Sequence, residues 1–137
     1  MTQGDWEQSV PEEIRCDVLW KIAAYRFSLF LGELAESDAG KILRLRRAYV
    51  ADQLQRSSGD ISAAIAEGYS RTGGADRARF FEYALGSARE ARDWYYKNRE
   101  TLGKTVFEHR LKLSTQIIKL LITMIRQQRG PEGRRPK

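Results

Sequence analysis

Cysteine and histidine are nearly missing from this chain of 137 residues, and each scarcity closes off a class of chemistry. With Cys16 alone, no disulfide can form within the chain and no cysteine-based zinc cluster can assemble. With His109 alone, and no acid three residues before it, the Glu-x-x-His pairs of di-iron bundles are absent. A single histidine with nothing to orient it does not make a Ser-His-Asp or Cys-His site either. His109 therefore reads as a polar residue early in the last helix. No run of about 18 apolar residues occurs, so no membrane span is expected. The start, MTQGDWEQSVPEE, is acidic and polar, unlike a secretory signal or an Arg-rich transit peptide. A cytoplasmic protein is the natural expectation.

Proline stands only at positions 11, 131 and 136, which leaves the interior without a helix breaker. What fills that interior is helical periodicity. Val18, Ile22, Tyr25 and Leu29 recur on one stripe, flanked by Leu19, Phe30 and Leu34. Ser37-Asp38 reads as the N-cap of a second helix, and Ser57-Ser58-Gly59-Asp60 as a bend within it. Thr72-Gly73-Gly74 is a turn. Phe81, Ala84, Ala88, Ala91 and Tyr95 line a third helix that ends at Leu102-Gly103. The fourth carries a double stripe, Val106, Leu113, Ile117, Leu120 and Met124 beside Leu111, Ile118, Leu121 and Ile125. The spacing predicts helices near 12–36, 38–70, 75–101 and 104–128, an all-α, antiparallel up-down-up-down four-helix bundle. Residues 11–129 make one domain, 1–10 an acidic N-terminal extension and 130–137 a basic, disordered tail. The third and fourth helices are apolar over more width than one buried stripe needs, which points to self-association.

Lysine and arginine number 24 against 18 acids, a net +6, and the charge is unevenly placed. Residues 1–18 hold one base and five acids, a net −4, whereas residues 104–137 hold nine bases and two acids, a net +7. Lys112, Lys119 and Arg126 repeat every seven residues on one face of the fourth helix, followed by Arg129, Arg134 and Arg135. On the third, Arg89, Arg92 and Arg99 share a face with Tyr96, an aromatic able to stack on a base. These strips read either as contacts for a polyanion or as the solvated faces every bundle helix presents. Gly73-Gly74 is followed by no Lys-Ser/Thr pair, so no phosphate loop is present. Glu82, Asp93 and Glu100 alternate with arginines as ordinary ion pairs do. Neither an enzyme, a cofactor nor a metal site is expected.

The run Gln53-Leu54-x-Arg56-Ser57-Ser58, then Ile61-x3-Ile65-Ala66-Glu67-Gly68-Tyr69-x-Arg71, resembles the signature of the four-helix-bundle proteins encoded in rRNA intervening sequences. Arg79-Phe80-x3-Ala84-x-Gly86-Ser87-x2-Glu90 is similar to its second half. The resemblance implies a non-enzymatic bundle that assembles into a homopentameric ring with a central pore. The family includes the accessory variability protein of diversity-generating retroelements, a basic pentamer that binds the reverse transcriptase and nucleic acid. Within the motif, Glu67 has two readings: a recognition residue at one end of the bundle, or a strut paired with Arg71, Arg56 or Arg79. Gly68 lets a neighbouring helix approach, and Gly86-Ser87 is a second small patch of that kind.

Two functions follow. The first is a homo-oligomer that binds RNA or DNA through its basic faces, acting with a reverse transcriptase or another RNA-handling protein. The second is a protein-interaction scaffold whose basic surface meets an acidic partner, with no nucleic-acid role. The charge asymmetry favours the first.

Overall fold

The computed structural model describes residues 2–133, with the side chains of 131–133 excepted. Every regular element among them is helical. The first, α1 (Gln3–Ser9), starts from a capping box in which Thr2 accepts from the Asp5 amide and Asp5 accepts from the Thr2 amide. The segment expected as an acidic extension is thereby a helix, and its Trp6 is buried. Trp6 packs on Phe30 and Trp20, and its indole N–H donates to Glu33 at 2.7 Å.

The expected helix over 12–36 is broken in the structure. A short α2 (Glu12–Arg15) follows Pro11, and a single 3₁₀ turn spans Val18–Lys21. The cause is local: the Asp17 carboxylate accepts from the Leu19 amide at 2.8 Å, a cap that competes with continued helix. Four long helices then carry the fold: α3 (Ala23–Leu43), α4 (Ala48–Tyr69), α5 (Gly74–Lys97) and α7 (Lys104–Gly133). Between the last two, Asn98 leaves helical geometry and a single turn, α6 (Arg99–Leu102), leads to Gly103 at φ 90. Only glycine takes that φ at no steric cost, so Leu102-Gly103 ends the run as its composition implies. The α7 backbone leaves helical geometry at Gly130, φ 65. Consecutive long helices pack on one another, and α7 closes back onto α3.

Two sequence expectations for α3 and α4 do not hold. No boundary falls at Ser37-Asp38; α3 runs on to Leu43, and the turn lies at Arg44–Arg47. Nor does α4 bend at Ser57–Asp60. The small residues serve packing instead. A Cβ on Gly32 would sit 3.7 Å from the Ser58 carbonyl, so α3 and α4 pass close together at that level. Leu54, Ile61 and Ile65 are fully buried around the crossing, and tertiary burial overrides the poor local propensity.

Asp38, expected as a cap, lies on the buried stripe of α3 with Leu31, Ala35 and Ile42. A lone carboxylate there would cost several kcal/mol of desolvation, on the order of the penalty per buried ion. Arg110 of α7 meets it with two bonds, Nε to Oδ2 at 2.8 Å and Nη2 to Oδ1 at 3.2 Å. The Tyr95 hydroxyl of α5 donates to Oδ2 at 2.7 Å. Burial, then the Asp38 charge, push the Tyr95 phenol well above its ordinary pKa, so it stays a donor. The side chains of Asp38 and Arg110 are 1% and 13% exposed, so the pair is shielded from solvent and salt. Three helices are tied at one point.

Asp38→Ala, which leaves Arg110 without its counter-charge, should cost about 3 kcal/mol in urea unfolding. Replacing the group as a unit with apolar residues (Asp38→Leu, Arg110→Met, Tyr95→Phe) should recover most of that loss. A triple variant less stable than Asp38→Ala would show that the polar bonds, not the stranded charge, set the cost.

Candidate nucleic-acid interface

The basic residues of α5 and α7 come together because these helices pack side by side. Arg92 Nη1 donates to Thr115 Oγ1 at 3.2 Å across the seam. On α7, Thr115 lies three residues after Lys112 and four before Lys119, so all three share one face. The bond from Arg92 therefore sets the α5 strip beside the α7 strip. Arg89, Arg92, Asp93 and Tyr96 line a groove of about 340 Å³ with Leu111 from α7. Arg89, Lys112 and Lys119 are exposed and have no carboxylate partner among the described residues. Arg126 is exposed farther along the same face of α7.

Other residues of the expected strips are occupied within the chain. Arg129 forms an ion pair with Glu82 at 2.6 Å, tying the far end of α7 to α5. Arg99 lies in α6 rather than α5, with its guanidinium 4.0 Å from the centre of the Tyr96 ring. Its Nη1 donates to the Tyr96 carbonyl at 2.9 Å. That cation and Phe107, edge-on at 6.2 Å, already attend the Tyr96 ring. Arg134 and Arg135 lie outside the described residues.

The motif residues sit at the junction of α4 and α5. Arg71 Nη2 lies 2.6 Å from Glu67 Oε2, one helical turn apart, and its guanidinium is 4.6 Å from the Phe80 ring. Arg56 pairs with Asp52 at 3.5 Å, and Arg79 with Asp76 at 2.7 Å, so neither reaches Glu67. Gly68 is buried, and a Cβ there would meet Phe80 Cβ at 2.8 Å and Phe81 Cε1 at 2.9 Å. Close approach of α4 and α5 requires glycine at this position. A Cβ on Gly86 meets nothing within 4 Å, so no described helix closes on that patch.

His109 is exposed beside the Asp38 cluster, with Nδ1 2.8 Å from Arg110 Nη1. Because the guanidinium can only donate, Nδ1 accepts and the ring is neutral. Desolvation, then the Arg110 charge, hold its pKa below the ordinary 6.5. It faces Phe30 edge-on, with ring centres 6.2 Å apart. Asp38, Tyr95 and Arg110 escaped sequence reasoning as a group. Their signal was an acid on the apolar stripe of one helix and a base on that of another.

The elements so far define a class: an all-helical protein with a basic face across two packed helices and an internal ion pair. A family model described as "23S rRNA-intervening sequence protein" matches residues 39–123, more than half of the chain. The chain belongs to that family. Among solved structures it is similar to a protein of unknown function from the S23 ribosomal protein family of Bacteroides thetaiotaomicron. The two are 24% identical, and the match covers 75% of this chain and 98% of that one with a TM-score of 0.71, a likeness of fold. No curated protein matches. No described helix is long and apolar enough to cross a membrane.

Three outcomes follow from this geometry. Since the unfolded chain binds a proton at His109 more readily than the folded one, the residue's contribution to stability is present above about pH 6.5. It is lost as pH falls from there toward the lowered folded pKa. His109→Gln should flatten that part of the profile of unfolding midpoint against pH. At the motif, Gly68→Ala should cost about 1–3 kcal/mol through overpacking against Phe80 and Phe81. Glu67→Gln, which breaks only an exposed pair, should cost less than about 1 kcal/mol in the same denaturation assay.

Proposed function

We propose that this protein is a non-enzymatic, homopentameric ring of antiparallel up-down-up-down bundles that binds RNA or DNA through the α5–α7 face. The observation that carries the reading is the Arg92–Thr115 bond, which sets Arg89 and Arg92 beside Lys112 and Lys119. Arg89, Lys112 and Lys119, with no carboxylate partner among the described residues, remain available to phosphate, and each phosphate contact releases condensed counterions. Such contacts position a strand without reading its sequence. Five chains at +6 bring +30 to one particle, so weak contacts repeat around the ring. Exposed Tyr83 on α5, away from the groove at Arg89 and Tyr96, supports assembly, as does the open space at Gly86. We place the protein in the cytoplasm, as an accessory to a reverse transcriptase of the kind found in diversity-generating retroelements. There it holds or delivers the nucleic acid while the polymerase performs the chemistry.

One observation supports the second reading, a scaffold for other proteins. Ala63, Ala64, Phe80 and Tyr83 line a groove of about 320 Å³ between α4 and α5 together with Asp60, Glu67 and Ser87, a mixed apolar and acidic surface suited to a protein partner.

The test is binding at graded salt on protein whose assembly mass is known. Affinity for single-stranded RNA or DNA should fall steeply between about 50 and 200 mM salt, with little dependence on sequence. Lys112→Gln with Lys119→Gln should reduce the log–log slope by about 1.4 per engaged chain, taking 0.7 per phosphate contact on a single strand. Absence of binding at low salt would transfer the function to the scaffold. Light scattering should show a pentamer; a monomer would remove the ring.

A further inference from the structure

The turn between α3 and α4 carries Arg44, Leu45, Arg46 and Arg47, and no described acid pairs with its three arginines. Apolar surface is exposed within it and just after it. Leu45 is 58% exposed and Tyr49, on the first turn of α4, is 69% exposed. Tyr49 stands edge-on to Trp94 of α5 at 6.2 Å, and the Lys97 ammonium lies 4.7 Å from the Trp94 ring. Cations and aromatic rings thus alternate over a short stretch of surface. Trp94 lies between Arg92 and Tyr96 in sequence, so the turn is close to the same end of α5 as the basic groove.

The backbone at Arg46 adds an independent observation. Its φ is 61, a left-handed conformation that a helix end normally gives to glycine or asparagine. Arg46 donates its amide to the Leu43 carbonyl at 2.8 Å, so this conformation closes the turn. An arginine held there at steric cost gains nothing for the fold that glycine would not supply better. Strained residues of this kind cluster at binding and switch sites, which makes the turn a candidate for one.

We infer that the Arg44–Arg47 turn together with Tyr49 is a binding site for single-stranded nucleic acid, in which the arginines meet phosphates and an unpaired base stacks on Tyr49. The chemistry favours an unpaired strand because stacking needs a base face that a duplex keeps covered. Tyr49 suits the role better than Tyr96, whose ring already carries the Arg99 guanidinium at 4.0 Å. The turn lies at the level of Trp94 on α5, on a different side of that helix from the Arg92–Tyr96 strip, so it is a second contact area rather than an extension of the groove. This inference rests on the nucleic-acid reading and adds a base-contacting site to its phosphate-contacting one.

The test measures anisotropy of labelled oligouridylate, oligothymidylate and a mixed-sequence duplex against the full chain and two variants. Tyr49→Ala should weaken binding of the single strands by about 10-fold, the loss of one stacked base, and leave duplex affinity unchanged. Unequal losses for the two homopolymers would tell whether the site takes RNA or DNA. Arg46→Gly should weaken single-strand binding several-fold while its thermal midpoint stays level or rises, a combination that a merely structural residue does not give. If both variants bind single strands as tightly as the parent, the turn is not the site, and the α5–α7 face stands alone. If the parent itself binds none of the three probes at low salt, the nucleic-acid reading fails and this site with it.

Discussion

Asp38 is a carboxylate that cannot reach water, and the arrangement of three helices follows from that constraint. Removing it from solvent is unfavourable unless a cation and further donors meet it in good geometry. Arg110 and Tyr95 do so from α7 and α5, which fixes both helices in register against α3. An apolar seam tolerates sliding by a methylene or two; a bidentate guanidinium contact does not. Within one turn of Tyr95 on α5 comes Arg92, and within two turns of Arg110 on α7 come Lys112 and Thr115. The internal ion pair therefore holds the basic face in place from behind. At the other end of the same seam, the Glu82–Arg129 pair performs a similar task at the surface.

The helix α4 takes no part in that cluster and depends on shape instead. Gly68 lets the Phe80–Phe81 segment of α5 close on it, and Gly32 lets α3 pass near Ser58. Alanines do the same work elsewhere: Ala35, Ala84, Ala88 and Ala91 are fully buried. Packing of this density transmits small changes in volume, so one methyl at position 68 is expected to cost more than the loss of an exposed ion pair at position 67.

Sequence patterns conveyed the helical class and much of the core. The stripe Phe81, Ala84, Ala88, Ala91 and Tyr95 is buried throughout, and so are Leu113, Ile117 and Leu121. Periodicity reports burial well because it sums many weak preferences over a long segment. Asp38 was misread because serine and aspartate are good N-caps wherever local geometry decides, whereas its partner lies 72 residues away. The turn at Arg44–Arg47 was invisible for the opposite reason: it has neither glycine nor proline to announce it. On the candidate face, the strips themselves were legible as charge at helical spacing. Their adjacency was not, since it depends on which faces of α5 and α7 meet. Nor could spacing show that Arg129 and Arg99 are engaged within the chain.

Family membership and fold similarity agree on the scaffold; the charge on its surface has to answer for what it binds. The most direct measurement is hydrogen–deuterium exchange on the full chain with and without a single-stranded oligonucleotide at low salt. Amides near a bound strand lose access to solvent or open less often, so protection maps the contact along the chain. The account predicts added protection in the Arg44–Tyr49 turn and in the segments around Arg89–Tyr96 and Leu111–Lys119, with the Ala63–Ala66 stretch of α4 unchanged. Protection centred on the α4–α5 groove, with the α5–α7 face exchanging as in the free protein, would contradict it.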